Sequence, residues 1–197
     1  DTLNMMGFLH SRKGDSDNAL KCLWGALASR KACNDNAKEA STLQNIGNVH
    51  RVRREFNEAI TSYEECRRIR EQELGKDHAK VGETWTMLGH MHADADHIED
   101  ATRCFDEALR IRKLCYGKED DKSAVILQKM GALHIKAGEQ EKGRACFDEF
   151  MRILKAKKKD KAEDYATALT IVGNTYAVEG NQDKAEDKWK EALKIYK

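Results

Sequence analysis

The chain of 197 residues contains no proline, and this absence argues against an all-β fold. Proteins rich in β-turns use proline to fix those turns, whereas helices exclude it from their interiors. No apolar run approaches the roughly 18 residues needed to span a bilayer. We therefore expect a helical protein that is not inserted in a membrane.

An excess of charge of one sign is also missing, since 35 basic and 34 acidic side chains leave a net charge of +1. This balance does not favour nucleic acid or an anionic membrane as the partner. No secretory signal is visible at the start of the sequence. Asp1 is not an initiator methionine, and Ile195 and Tyr196 have no polar cap after them. We expect a piece of a longer protein, or an end that packs on a partner.

The motifs of common catalytic sites are absent as well. The sequence has no phosphate-binding loop, no His-Glu-x-x-His helix, no paired-cysteine zinc motif and no nucleophile elbow. We predict that the protein is not an enzyme and that it binds no cofactor, metal or small-molecule substrate.

A repeat of about 42 residues organises what is present. Its glycines, spaced 40, 42, 42 and 42 residues apart, are Gly7, Gly47, Gly89, Gly131 and Gly173. A small residue follows twelve positions later and a large apolar one sixteen positions later, as Ala101 and Phe105 do in the third repeat. Trp85, Leu88 and His92 have the spacing of one helical face. Short polar segments (KGDS, RREF, DADH, AGEQ, EGNQ) separate two such patterns in each repeat, which predicts five helical hairpins.

This pattern resembles the tetratricopeptide repeat, whose signature of a large residue, Leu, Gly and Tyr, then Ala, Phe and Ala, fits the third unit well. The 42-residue length and the segment IREQELGKDHAKVGETW resemble the repeats of kinesin light chains. The resemblance implies an all-α, right-handed superhelical solenoid of five helical hairpins. We expect a single array over 1–197, with units at about 1–33, 40–74, 82–116, 124–158 and 166–197. In the fourth unit, Gly143 and Phe150 redistribute small and large residues, so we expect looser or shifted packing there.

Four histidines share one repeat position, at which the family usually has tyrosine. They are His10, His50, His92 and His134. We interpret them as amphipathic residues that pack at the hairpin interface. Neighbouring helices lie about 8–10 Å apart, whereas the ligands of one zinc ion all lie about 2 Å from it. One histidine per repeat therefore need not converge on a metal.

A closer candidate for a metal site is His90, Asp94 and His97, whose spacing would suit one helical face. However, His97 falls in a predicted turn, and residues two apart, such as His90 and the next histidine, point to different sides. Asp96 and Asp100 are interpreted as turn and helix-start residues. We predict no metal site in this stretch.

The six cysteines follow the repeat. Cys22, Cys104 and Cys146 share one position, and Cys33 and Cys115 share another. Partners eleven residues apart on one helix would be about 16 Å apart, while a disulfide needs Cα atoms within about 7 Å. We expect reduced thiols in an intracellular protein, with the cytoplasm as first choice and an organelle as the alternative.

The segment KAKKKDK, residues 155–161, is rich in lysine. Because cations suit the C-terminal end of a helix, we interpret it as a solvated linker. An acidic partner or nucleic acid is the alternative, although no aromatic residues interleave the run to stack on bases.

In the family that the chain resembles, the first helix of each hairpin lines a concave groove that binds partners. The positions that the resemblance assigns to this groove are Asn4, Gln44, Asn45, Asn48, Arg51, Thr86, Met87, His90, Gln128, Lys129, Lys136, Thr170 and Asn174. Amide side chains both donate and accept hydrogen bonds, which suits a peptide backbone. In kinesin light chains an asparagine two residues before the glycine position serves this purpose. Only Asn45 matches it, whereas Met5, Met87, Lys129 and Ile171 depart from it.

We predict a protein–protein interaction scaffold or adaptor that binds a peptide or helix of partner proteins in this groove. A structural subunit that docks in a large assembly through its convex face or ends is the alternative. A third possibility is an accessory region of a larger enzyme. The expected partners are other proteins and not nucleic acid, membrane or small molecules.

Overall fold

The computed structural model describes residues 2–156 and 162–196, which form ten α-helices and no strand. The helices are α1 (Thr2–Arg12), α2 (Ser16–Ala32), α3 (Asn36–Val52), α4 (Phe56–Leu74), α5 (Ala79–Asp94), α6 (Ile98–Tyr116), α7 (Asp121–Lys136), α8 (Gln140–Ala156), α9 (Ala162–Val178) and α10 (Gln182–Tyr196). Consecutive helices pair, so that α1 and α2 form hairpin one and α9 and α10 form hairpin five. The prediction of an all-α array of five helical hairpins is confirmed.

The chain divides into two compact units, residues 1–115 and 116–197. Unit 1 holds hairpins one to three, and unit 2 holds hairpins four and five. We describe each unit by itself, and the single array over 1–197 stays a prediction. The first helices of the later hairpins begin ahead of the predicted unit starts, for example at Asn36 and not at 40.

A glycine of the first helix lies against a large side chain of the second helix in every hairpin. In hairpin three a Cβ atom built on Gly89 would lie 2.6 Å from ring carbons of Phe105, which is fully buried. The same approach joins Gly47 to the buried ring of Tyr63. No real Cβ atom tolerates such distances, so the missing methyl group is what lets the two helices come this close. The remaining pairs are Gly7 with Leu23, Gly131 with Phe147 and Gly173 with Trp189.

The turn inside each hairpin closes in the same way. The amide of Glu55 donates to the carbonyl oxygen of His50 at 3.0 Å, and the amide of His97 donates to that of His92 at 2.8 Å. The residue just before the donor has a positive φ, which is 60° at Arg54. This left-handed residue satisfies carbonyl groups that would otherwise be orphaned at the helix end. Glycine adopts it without strain, and it occupies this place in hairpins one, four and five.

Hairpin four accommodates its unusual small and large residues without loosening. A Cβ atom built on Gly143 would lie 2.6 Å from Ile135, a large residue on the opposite helix. Phe147 and Phe150 are both buried. The isoleucine side chain thus occupies the space that the missing methyl group leaves, and the packing is shifted and not loosened.

Two further expectations have different outcomes. Among the described residues, no helix is long and apolar enough to cross a membrane. Most of the lysine-rich segment, residues 157–161, lies outside the described residues, and its interpretation as a solvated linker stays a prediction.

The replacement Gly89→Ala should lower the free energy of unfolding by about 1–3 kcal/mol, because the new methyl group overpacks against Phe105. Gly25→Ala in α2 is the matched control, since its Cβ atom would meet only Leu3 at an ordinary 3.5 Å. This control should stabilise by about 0.5–1 kcal/mol through helix propensity alone. Urea unfolding measures both variants. Equal, stabilising effects would contradict the close approach at Gly89.

Candidate functional site

Four predicted groove residues form a polar strip along α3. We use polar strip for Gln44, Asn45, Asn48 and Arg51. Asn48 lies four residues after the first and three after the second, and Arg51 lies three residues after Asn48, so the four side chains share one side of the helix. The three amide side chains are half-buried and Arg51 is exposed. The strip therefore has one side in contact with protein and one side that a ligand can reach.

The polar strip is continuous with α1 through a pair of asparagines. The amide nitrogen of Asn45 donates to Oδ1 of Asn4 at 3.3 Å. Both residues were assigned to the groove from the sequence, and they stand at neighbouring offsets of successive repeats. The contact places two of the predicted residues on a common surface of unit 1.

The middle of the polar strip is held from below by Tyr63. The tyrosine hydroxyl donates to Oδ1 of Asn48 at 2.8 Å, and the positive charge of Arg51 acts on it from nearby. Burial raises the pKa of Tyr63 to about 12, against a smaller opposing effect of Arg51. The hydroxyl is therefore a stable neutral donor, and it fixes the amide orientation of Asn48.

In other hairpins too, the residue that follows the glycine contacts the large side chain of the second helix. Oδ1 of Asn174 accepts a hydrogen bond from the indole nitrogen of Trp189 at 3.1 Å. His90 packs edge-on against Phe105 with ring centroids 5.2 Å apart. Asparagine thus follows the glycine in the two hairpins named here whose large ring carries a hydrogen-bond donor, a tyrosine or a tryptophan. The sequence contains this pairing, and reading the two offsets together would have found it.

Sequence reasoning missed a buried arginine that bridges hairpins two and three. The guanidinium of Arg70 donates to the hydroxyl of Thr84 at 2.7 Å and to the side-chain oxygen of Gln44. Arg70 is only 7% exposed although it lies in a strongly charged stretch of sequence. Arg30 reaches from hairpin one to Thr42 of hairpin two in the same manner. These arginines link successive hairpins of unit 1, and Arg70 also orients Gln44.

The remaining predicted groove residues lie on α5, α7 and α9, and the hydroxyl groups of the two threonines among them donate within their own helices. The hydroxyl of Thr86 donates to the carbonyl of Gly82 within α5, and Met87 is half-buried beside it. In unit 2 the hydroxyl of Thr170 likewise donates within its own helix, to Ala166. Gln128, Lys129 and Lys136 lie on α7, where the first is half-buried and the two lysines are exposed. Their role in binding stays a prediction.

Three of the four aligned histidines pair with a carboxylate five residues later. The pairs are His10–Asp15 at 3.0 Å, His50–Glu55 at 2.6 Å and His134–Glu139 at 2.6 Å. Because a carboxylate only accepts hydrogen bonds, Nδ1 of each ring must carry the proton. The aligned histidines therefore tie the end of the first helix to the start of the second. This role adds to the packing role inferred from the sequence.

Hairpin three differs, because His97 stands where the turns of hairpins one, two and four have a carboxylate. The metal candidate considered from the sequence, His90 with Asp94 and His97, does not assemble, since His90 packs on Phe105. Among the described residues, the group whose ligand atoms lie within 4.8 Å of one another is His92, His97 and Asp100. His92 and His97 meet because the turn brings together residues five apart, whereas helical spacing brings together residues three or four apart.

All six cysteines are free. Cys66 and Cys104 are buried, and burial raises the pKa of both thiols, that of Cys104 to about 11. Cys33 and Cys115 are exposed. The expectation of reduced thiols in an intracellular protein stays a prediction.

Comparison with known proteins finds a family model that matches the central part of the chain. Residues 38–114, which cover nearly all of hairpins two and three, match the family model described as tetratricopeptide repeat. Among curated proteins, none matches this sequence.

Solved structures share the fold over almost the whole chain. BtubC (BKLC) from P. vanneervenii has a TM-score of 0.82 at 18% identity, over 98% of this chain and 78% of that one. Kinesin-light-chain TPR-like repeats from Podosopora anserina give 0.79 at 10% identity, over 99% and 93%. YrrB, described as a TPR protein with an unusual peptide-binding site, gives 0.69 at 20% identity, over 98% and 84%. These identities establish a shared fold.

Replacing Arg70 with alanine should lower the free energy of unfolding by about 1.5–3 kcal/mol, the range for lost hydrogen bonds of a charged group. Arg68→Ala is the control, since its ion pair with Glu65 is solvent-exposed and should contribute at most about 1 kcal/mol. Urea unfolding of both variants gives the difference. Equal effects would show that Arg70 does not link the hairpins.

The replacement Glu55→Gln should destabilise the protein at pH 7 and progressively less as the pH falls below 4.5. The hydrogen bond from His50, with help from Arg53, lowers the pKa of Glu55 from its ordinary 4.5. A lowered carboxyl pKa means that the unfolded chain takes up the proton first, so this stabilisation is present above pH 4.5 and lost on acidification.

Thermal unfolding of wild type and variant from pH 7 to pH 3.5 measures this effect. In a His50→Gln background the difference caused by Glu55→Gln should be reduced at neutral pH, since the main partner is gone. A difference that does not change with pH would contradict the pairing.

Proposed function

We propose that this chain, which carries tetratricopeptide repeats across residues 38–114 and has their fold throughout its described residues, is a non-catalytic module that binds segments of other proteins. The proposed surface in unit 1 is the polar strip together with Asn4, Thr86, Met87 and His90. In unit 2 we propose, separately, the equivalent positions on α7 and α9.

The observation that carries the proposal is the hydrogen bond between Asn4 and Asn45 on successive first helices. It uses one N–H of Asn45 and leaves the other N–H and the amide oxygen without a partner among the described residues. An extended peptide presents alternating N–H and C=O groups, and an amide side chain can pair with both. Asn45 also stands two residues before the glycine, which is where the kinesin light chains that this chain resembles have an asparagine.

The rigidity of the polar strip supports the same proposal. Tyr63 fixes Asn48, and Arg70 fixes the oxygen of Gln44 so that its N–H groups remain available to donate. Side chains that are already oriented lose less conformational entropy on binding, which raises affinity without new contacts. The soft side chain of Met87 tolerates ligands of varied shape.

We further propose that the partners are proteins and that the chain acts inside the cell as an adaptor. The cytoplasm is the first choice of compartment, and an organelle is the alternative. The near balance of 35 basic and 34 acidic side chains gives no electrostatic preference for nucleic acid. Exposed free thiols at Cys33 and Cys115 suit a reducing compartment.

A peptide display library panned on the full chain tests the proposal. The affinity of a selected peptide should fall about tenfold in Asn4→Ala/Asn45→Ala, which corresponds to about one lost hydrogen bond or two. Asn57→Ala is the matched control, because this exposed asparagine lies on the second helix of hairpin two and should leave the affinity unchanged. Asn48 is kept intact because it also holds Tyr63.

Peptides that bind the double variant as well as the wild type would overturn the proposed surface. Capture from native extract then separates the alternative function. A single partner retained in fixed ratio by wild type and double variant would identify a structural subunit that docks elsewhere.

A further inference from the structure

The turn of hairpin three keeps the backbone of the other turns but not their side-chain chemistry. In hairpins one, two and four, the imidazole at the end of the first helix bonds to a carboxylate. In hairpin five the two positions hold Tyr176 and Asn181. Only in hairpin three does a second imidazole, that of His97, face the first one, that of His92, with ring centroids 5.8 Å apart.

His92 lacks the partner that its counterparts have. Its Nδ1 atom is buried and has no hydrogen-bond partner among the described residues. A buried polar atom without a partner destabilises the folded protein, so such atoms are rare and point to something that satisfies them. In hairpins one, two and four, the Nδ1–H group of the histidine donates to a carboxylate and so has a partner. At His92 the same nitrogen has no such carboxylate, but its lone pair would be satisfied by a metal ion.

Asp100 completes a set of three donors. It lies in the first turn of α6, one helical turn after His97, and the ligand atoms of the three side chains are all within 4.8 Å of one another. Two ligand atoms on a tetrahedral ion are separated by about 3.4 Å, so the ligand atoms need to approach one another by at most about 1.4 Å. His97 is exposed, which gives an ion a path from solvent.

The surrounding charges allow a cation. Glu64 of α4 faces His92 from the neighbouring hairpin and adds negative potential, while Arg103 opposes it. Arg103 also bonds to Asp100 at 2.8 Å, but this pair is exposed to solvent and contributes little stability. Binding an ion therefore requires Asp100 to leave only a weak contact.

We propose that His92, His97 and Asp100 bind one divalent transition-metal ion, with zinc as the ion and with the fourth position open to water or to a carboxylate of a partner. Two imidazoles and one carboxylate suit zinc and its neighbours in the first transition row, whereas magnesium and calcium prefer oxygen donors throughout. The ion would tie the end of α5 to the start of α6, which is what the histidine–carboxylate bond does in hairpins one, two and four.

Calorimetric titration of the full chain with Zn²⁺, under a reductant that does not chelate metal, tests the site. The wild type should bind one Zn²⁺ per chain. His97→Asn and Asp100→Asn should each weaken binding at least tenfold. His97→Asn copies the residue at the same place in hairpin five, so the fold of the turn has a precedent in this chain, and Asp100→Asn leaves the turn itself unchanged.

Two control variants separate this site from other zinc-binding groups. His90→Gln removes a histidine of the same helix that lies outside the group, and Cys33→Ser/Cys115→Ser removes the exposed thiols. Both should bind zinc as the wild type does. The ring signals of His92 and His97 in the NMR spectrum should shift on titration, and that of His90 should not.

Binding that is absent, that is unchanged in His97→Asn and Asp100→Asn, or that is lost with the two cysteines would overturn the proposal. None of these outcomes depends on the peptide-binding surface, so the zinc site and the proposed function fail or stand separately.

Discussion

The contact between a glycine of the first helix and a large side chain of the second sets the geometry of every hairpin. In hairpin two the ring of Tyr63 occupies the space that a methyl group on Gly47 would need. The two helices can then approach closely, and the polar edge of the ring emerges beside the residue that follows the glycine. The hydroxyl of this ring donates a hydrogen bond to Asn48 and so orients it, as the indole nitrogen of Trp189 does for Asn174 in hairpin five. One steric constraint therefore both builds the core and orients polar groups at the surface.

The same backbone supports different chemistry at equivalent places. Residues five apart meet at each turn because a left-handed residue reverses the chain there. Where the meeting residues are histidine and a carboxylate, the turn is closed by a hydrogen bond. Where both are histidine, as at His92 and His97, a buried nitrogen of His92 has no hydrogen-bond partner among the described residues. Between hairpins, Arg70 joins Gln44 to Thr84 and so couples the stacking of unit 1 to the orientation of its polar strip.

The sequence alone predicts the five hairpins because small and large residues recur at fixed offsets, and packing between two helices depends directly on those offsets. The resemblance assigns Asn4 and Asn45 to the groove but does not predict their hydrogen bond, since the two residues occupy neighbouring offsets and not the same one. The buried Arg70 could not be distinguished from the solvated charges around it, because burial depends on the next hairpin. The group at His92 was missed for a different reason, since helical spacing relates residues three or four apart and the turn relates residues five apart.

A photo-crosslinking residue placed at position 41 or at position 57 of the full chain tests the central claim most directly, that the ordered amides of the first helices are the surface that meets a partner. Ser41 is exposed on the first helix of hairpin two, four residues before Asn45 and therefore on the same side of that helix, so the whole polar strip stays in place. Asn57 is exposed on the second helix of the same hairpin. In native extract, we predict covalent capture of a partner protein from position 41, competed by a selected peptide, and none from position 57. Capture from position 57 with none from position 41 would contradict this claim.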